Sequence, residues 1–265
     1  MVDMTAQKPA TDQDRNKVLV DKLLGQFEYL VTKRGIWESH WQEVAQRVLP
    51  YYENSFYQQG NMTPGVKRGQ EQYDTTATTA LFRLAAAHES MITPASSKWG
   101  KYRASDPDLQ KIRNVALWFE TVTDIINHYR YAPQANYQSQ QHDTYVSLGA
   151  FGTGGLFVDT LDPTYGRGFR YRHCHLGELF IAANHQGFID TVYRRFKMTL
   201  RQIAQKWGQD ALPDSHKNQL KDKPENEVQI IHIVKPNPRF NPKIIDSKAY
   251  RYASYYILRE ASHLL

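Results

Sequence analysis

Apolar positions in the first 150 residues recur at helical spacing, whereas beyond them they fall in short runs of strand length. Val18, Leu19, Leu23, Phe27, Leu30 and Val31 form one helical stripe, with Thr11 or Asp12 placed to cap it. Gly35 is expected to break or bend that helix. Trp37, Trp41, Val44 and Val48 fall at i, i+4, i+7 and i+11, one face of a second helical stretch ending before Pro50. Two tryptophans on that face could stack nucleobases, but core is the expected role. Asp74 and Thr75 offer an N-cap for a helix through Ala77, Ala80, Leu81, Leu84, Ala85, His88 and Met91, closed by Pro94. Its alanine-rich face suits close helix packing, and His88 on the same stripe is expected as a core histidine with its hydrogen bonds satisfied. Residues 106–131 read as one helix, with Val115, Phe119, Val122, Ile126 and Tyr129 on one side. Pro133 interrupts it, and a further helix from near Asn136 reaches Leu148.

The period changes at Gly149-Ala-Phe-Gly152-Thr-Gly154-Gly155. Gly149, Gly152, Gly154 and Gly155 are expected to end a helix, turn the backbone and permit close chain approach, because glycine reaches positive φ without steric cost. A phosphate-cradling loop needs G-x-x-x-x-G-K-[ST] or G-x-G-x-x-G between a strand and a helix. Here the helical pattern precedes the glycines, the strand pattern follows, and no Lys-Ser or Lys-Thr comes after, so the corner reads as structural. Strands are expected over 156–160, 169–173, 179–183, 188–196, 228–234 and 250–258, with turns at Asp162-Pro163, Gly166–Gly168 and Asn184–Gly187. Thr199 should cap a helix over Leu200–Trp207 that stops at Gly208, and 214–226 reads as a charged, solvated stretch. The fold class is therefore α+β, a helical half followed by a strand-rich half.

Other segments carry less pattern. Residues 1–14 are polar and read as a flexible arm. Residues 51–73, with Gly60, Pro64, Gly65 and Gly69, form a loop long enough to pack on something outside the chain. Lys98, Trp99, Lys101, Tyr102 and Arg103 interleave cations and rings, which suits single-stranded nucleic acid. The expected role is an edge strand protected by lysines.

Composition narrows the function classes. The 265 residues are 41% apolar and 12% aromatic, enough for a sizeable core, and no apolar run reaches membrane-span length. A lone Cys174 excludes an intrachain disulfide and a Cys-rich zinc site. His173 and His175 flank it and could share a strand face, but a third metal ligand could only be guessed at Glu178 or His185. The formal charge of +6 and pI near 9.2 permit an acidic partner such as nucleic acid. Neither a Gly-x-Ser-x-Gly elbow nor a His-Glu-x-x-His helix is present, and no catalytic, cofactor or metal residues are assigned. DNA-contacting residues are not identifiable from the sequence. The residues alone leave open a sequence-independent nucleic-acid-binding protein of the cytoplasm and an enzyme with an unfamiliar site.

One set of short motifs, taken in order, resembles the portal (head-to-tail connector) proteins of short-tailed, T7-like bacteriophages. It comprises Trp37 through Pro50, Asp74-Thr-Thr-Ala77, Ala85-Ala-Ala-His-Glu-Ser-Met-Ile-Thr-Pro94 followed by Trp99, and Leu148-Gly-Ala-Phe-Gly-Thr-Gly-Gly-Leu156. Gly187-Phe-Ile-Asp-Thr-Val-Tyr-Arg-Arg195, Met198-Thr-Leu-Arg-Gln202 and Trp207-Gly208 continue it. The resemblance implies a non-enzymatic subunit of a dodecameric ring at the capsid vertex, assembled in the host cytoplasm and residing in the virion. Double-stranded DNA would pass through its channel without sequence readout. Implied partners are the terminase large subunit, which carries the ATPase, the tail adaptor, and the major capsid and scaffolding proteins, with no membrane and no cofactor. The resemblance further implies that residues 15–195 are wing-like and that 196–265 begin the stem and clip. Members of the family are about twice this long, so the chain is expected to be an N-terminal portion that works only within a ring.

Overall fold

A computed structural model describes residues 12–50, 56, 65, 74–244, 246 and 249–265. These form two compact units, residues 12–38 with 178–265 and residues 39–177, and helix α1 (Asp12–Val48) contributes to both. The order is the expected one, α+β with a helical half followed by a strand-rich half. The flexible-arm reading lies largely outside the described residues, as does the 51–73 loop apart from Phe56 and Gly65.

The first unit is an antiparallel meander of β3 (Leu179–Ala183), β4 (Ile189–Thr199), β5 (Glu227–Pro236), β6 (Tyr252–Leu258) and β7 (His263–Leu264). Side chains alternate between sheet faces, and both faces are covered. On one face Phe180, Tyr193, Ile231, Ile233 and Ile257 meet Val20, Leu23 and Phe27 of α1. On the other, Val228, Ile230 and Leu258 meet Leu200 and Ile203 of α6 (Leu200–Trp207), together with Leu212. Double-sided burial explains why the centre of β5, Ile230-Ile-His-Ile-Val234, is apolar on both faces with only His232 interrupting, rather than alternating. Each of these side chains contributes about 1.5–3 kcal/mol relative to exposure.

The α6 start is a capping box: Thr199 Oγ1 accepts from the Gln202 backbone N at 3.3 Å, and Gln202 Oε1 accepts from the Thr199 backbone N at 3.0 Å. Gly208, at φ +88°, closes the helix. The stretch read as charged and solvated is largely exposed, and part of it is helical, α7 (Asp214–Asp222). Its charges hid a pair at i, i+4: His216 is buried, and Leu220 packs against the second cluster.

Helix α1 corrects the expectation at Gly35, since it continues through that residue without a break. A Cβ there would meet nothing within 4 Å, so the glycine costs only propensity, about 1 kcal/mol, which the flanking helical hydrogen bonds outweigh. The tryptophan stripe is core in part: Trp37 is 59% exposed, but Trp41 packs half-buried on Ala45 and Phe56 and Val48 packs beside Leu49, while the fully buried positions are Gln42, Ala45 and Leu49.

In the second unit α2 (Thr76–Ile92) and α5 (Tyr137–Phe151) pack through Leu81, Ala85, Tyr145 and Val146, joined by Leu49. The single helix expected over 106–131 is two, α3 (Pro107–Lys111) and α4 (Arg113–Tyr131), because Ile112 between them takes an extended conformation at ψ 115°. Asp106 caps α3 by accepting from the Asp108 backbone N at 2.9 Å. The predicted α4 stripe is only half-buried, and Leu117, Trp118 and Ile125 on that helix are exposed. Residues 98–103 form no edge strand. Their donors go to α4 instead: the Tyr102 backbone N to Thr123 Oγ1 at 3.0 Å, Trp99 Nε1 to Tyr131 Oη at 2.7 Å, and Lys98 to Asp124 at 2.5 Å. The unit closes with a two-stranded hairpin, β1 (Gly155–Thr160) and β2 (Phe169–Cys174).

Gly35→Ala should raise stability by about 1 kcal/mol, because alanine fits the open helical position and restricts the unfolded chain. Urea denaturation of the two proteins measures this, and an unchanged or lowered midpoint would show that the glycine serves a bend in the folded state.

Candidate functional site

The glycine corner is assembled from two neighbouring elements of the second unit, the end of α5 and the β1–β2 hairpin. Gly152 is the C-cap of α5 at φ +71°, and its N–H donates to the Leu148 carbonyl at 2.9 Å. This left-handed position closes the helix and uses up the amide that a phosphate loop would turn outward. Gly154 acts by proximity, since its φ lies outside the left-handed region. A Cβ there would stand 2.7 Å from the Thr144 carbonyl oxygen and 2.9 Å from Thr144 Cγ2. Gly149 likewise makes room within the helix pair, where a Cβ would stand 2.7 Å from Leu81 Cδ1. Gly155 opens β1 opposite Cys174.

The hairpin is tied to α5 by Tyr137, whose ring sits 4.9 Å from that of Tyr171, and by hydrogen bonds at one histidine. Gln140 and Thr144 lie at i, i+4 on α5, and both reach His173. Gln140 Oε1 accepts from the His173 backbone N at 2.7 Å, and Thr144 Oγ1 stands 3.3 Å from His173 Nδ1. Thr144 donates its own proton to the Gln140 carbonyl at 2.7 Å, so its oxygen is left to accept from the imidazole. Burial pushes the His173 pKa below its ordinary 6.5, opposed by Asp143 and by a hydrogen bond to the Gly155 backbone.

The histidines therefore serve packing. His175 lies beyond the end of β2, where its Nδ1 accepts from the Gly177 N–H at 2.9 Å and its ring sits 5.1 Å from that of Phe56. Glu178 is engaged by Arg194 at 3.1 Å. His185 is exposed in the β3–β4 turn. Among the described residues no group of three or more His, Cys, Asp or Glu could hold a metal. His88 corrects the satisfied-core reading: it is half-buried beside Tyr145, and its Nδ1 is buried without a hydrogen-bond partner.

Sequence reading missed a buried arginine cluster in the first unit. Arg34 donates to the Leu179 carbonyl, pairs with Glu38 at 2.5 Å, and lies 3.5 Å from the centre of the Phe180 ring. Arg195 is 3% exposed, its Nε is buried without a partner, and its guanidinium stands 5.1 Å from the Phe180 ring and 5.8 Å from that of Phe27. Burial, then the nearby Arg34, pushes the Arg195 pKa down to about 10, with Glu38 and Glu28 acting the other way. Burying a guanidinium costs several kcal/mol. Two ring faces return about 0.5–2 kcal/mol each, and Glu38 and Glu28, paired with Arg34 and Arg259, add a weaker attraction that leaves the penalty only partly offset. The signal in the sequence was Arg194-Arg195 between Val192-Tyr193 and Phe196, in the stretch read as a strand.

Comparison with known proteins places these features in context. A family model described as bacteriophage head to tail connecting protein matches residues 20–265. The probable portal protein of Bordetella phage BPP-1 is 30% identical over 236 residues, covering 88% of this chain and 41% of that protein. The portal protein of Salmonella phage epsilon15 is 29% identical over 237 residues, covering 89% of this chain and 41% of its own length. The chain thus spans about two fifths of the curated relatives it matches.

Two outcomes are expected at the corner. Gly154→Ala should destabilise the protein by about 1–3 kcal/mol, because the new methyl meets a backbone carbonyl that cannot rotate away. Urea denaturation reads the loss, and an unchanged midpoint would contradict the close approach. His173 has a folded pKa below its unfolded one, so its contribution to stability is complete above about pH 6.5 and falls away as pH drops through the folded value. A urea-midpoint series from pH 7.5 to roughly pH 4.5 should show that decline in the wild type and a shallower one in His173→Gln. Parallel curves would remove His173 from the account.

Proposed function

This chain belongs to the family of bacteriophage head-to-tail connecting proteins, and from that premise we propose that it is a structural subunit of a portal ring at the capsid vertex of a short-tailed phage. The observation that carries this reading is the collinear match of residues 20–265, together with portal proteins as relatives over 88% and 89% of the chain. Double-stranded DNA passes through the ring during packaging and ejection, the terminase large subunit docks on it and is later replaced by a tail adaptor, and capsid and scaffolding proteins surround it. The ring is assembled in the host cytoplasm and ends in the virion. Residues 15–195 belong to the wing in this proposal, and 196–265 lead into the stem and clip.

Two physical features support it. A rotationally closed ring uses two different faces of each subunit, and exposed apolar side chains such as Leu117, Trp118 and Ile125 on α4 suit burial by a neighbour. A channel must let DNA slide, so dispersed cations that meet phosphates suffice, in keeping with a formal charge of +6. The role is structural; ATP hydrolysis belongs to the motor. No helix among the described residues is long and apolar enough to cross a membrane.

Light scattering and negative-stain imaging of the full gene product should give rings of about a dozen copies. Those rings should bind unrelated duplexes with equal affinity that falls steeply as salt rises. A monomer or small oligomer with a preferred sequence that survives high salt would replace the portal reading with that of a nucleic-acid-binding protein.

A further inference from the structure

On the α1-covered side of the first unit, a groove of about 540 Å³ opens between α1 and the sheet. Lys22, Gln26 and Tyr29 enter it from α1, and Thr191, Tyr193 and Lys235 from the strands. No carboxylate lines it. Gln26 Oε1 accepts from both Tyr193 Oη at 2.9 Å and Lys235 Nζ at 3.2 Å, which fixes the amide so that its NH₂ is presented to solvent. The Thr191 hydroxyl donates to Asp190 at 2.9 Å. Among the described residues neither Lys22 nor Lys235 has an ion-pair partner, and the charged side chains lining the groove are these two lysines.

Two further observations concern the groove wall and its charge. Gly25 lies in mid-helix on its wall, where a Cβ would meet nothing within 4 Å. Alanine would be favoured there by helix propensity, and a longer side chain would fill the space. Lys235 is driven below its ordinary pKa by burial and then by Lys22. An anion bound beside the two ammonium groups would offset their repulsion and favour the charged form of Lys235 against its burial.

We propose that the Lys22–Gln26–Lys235 groove is a phosphate-binding site, taking a phosphate group whose organic remainder lies along Tyr29 and Leu30. Two ammonium groups and an oriented amide supply donors on three sides of a tetrahedral oxyanion, while Tyr29, Leu30 and Ala182 give an apolar wall wide enough for more than the phosphate itself. The phosphate can come from a nucleic-acid backbone or from a free nucleotide. The site rests on the groove alone and does not require the ring reading.

The test uses the whole chain and three probes: inorganic phosphate, deoxyadenosine monophosphate, and a fluorescent duplex of arbitrary sequence. The variants are Lys22→Ala/Lys235→Ala, Gly25→Leu, which keeps both lysines but fills the groove, and Lys221→Ala/Lys223→Ala, which removes the same charge elsewhere. Melting curves and light scattering are recorded for each, so that a change in folding or assembly is seen separately from a change in binding. At least a tenfold loss of duplex affinity in the first two variants, and not in the third, supports the site with a backbone phosphate as ligand. The same loss for the mononucleotide and inorganic phosphate, with duplex binding unchanged, supports it with a free phosphate as ligand. Equal losses in all three variants, or no phosphate-dependent binding to the wild type, overturn it.

Discussion

Burial of the β3–β7 sheet on both faces is the constraint from which the first unit follows. A five-stranded meander with apolar residues on each side cannot leave either side to water. Val20, Leu23 and Phe27 of α1 cover one, and Leu200, Ile203 and Leu212 the other. Strand order then follows chain order, each strand antiparallel to its predecessor, because the intervening connections need only return the chain to the adjacent edge. The capping box at Thr199 matters in this setting: it starts α6 at the end of β4, so the covering helix is laid down where the strand ends.

The arginine cluster lies within the α1-facing layer. Arg34 and Arg195 occupy positions where apolar residues would be cheaper, with Phe27 and Phe180 as ring partners and Glu28 and Glu38 as counter-charges. The charges also restrict register, since a slip of one residue would place Arg195 on the opposite face, away from the carboxylates of α1.

In the second unit the glycines divide their labour. Gly152 is required for its backbone angle, Gly154 for the absence of a side chain against Thr144, and Gly149 for the approach to Leu81. The hydrogen bonds of Gln140 and Thr144 to His173 then hold the hairpin on α5. The Gly152 amide is spent on the Leu148 carbonyl, so it closes the helix instead of facing a ligand. Exposed Trp118, Leu117 and Ile125 contrast with that tight packing, and suit a protein whose remaining apolar surface is buried by assembly.

The sequence by itself determined the elements whose signals are local. The β3 boundaries, the Thr199-capped helix to Trp207 and the helix-to-strand order at the corner depend on period, cap chemistry and glycine, which act over a few residues. The family too was legible, from short motifs in order between Trp37 and Gly208, and a family model matches residues 20–265. Tertiary structure decided the rest. Gly35 stayed helical because cooperative hydrogen bonding outweighed one poor residue, and α7 has a cluster to join through Leu220. Full burial fell on Gln42, Ala45 and Leu49, with Trp41 only half-buried, and residues 98–103 took their partners from α4 instead of a strand. The grouping of Lys22 with Lys235, and of Arg34 with Arg195, spans more than 150 residues of chain. Such pairings leave no periodic trace, because proximity in space is set by which faces the sheet and helices bury, and no window of sequence contains it.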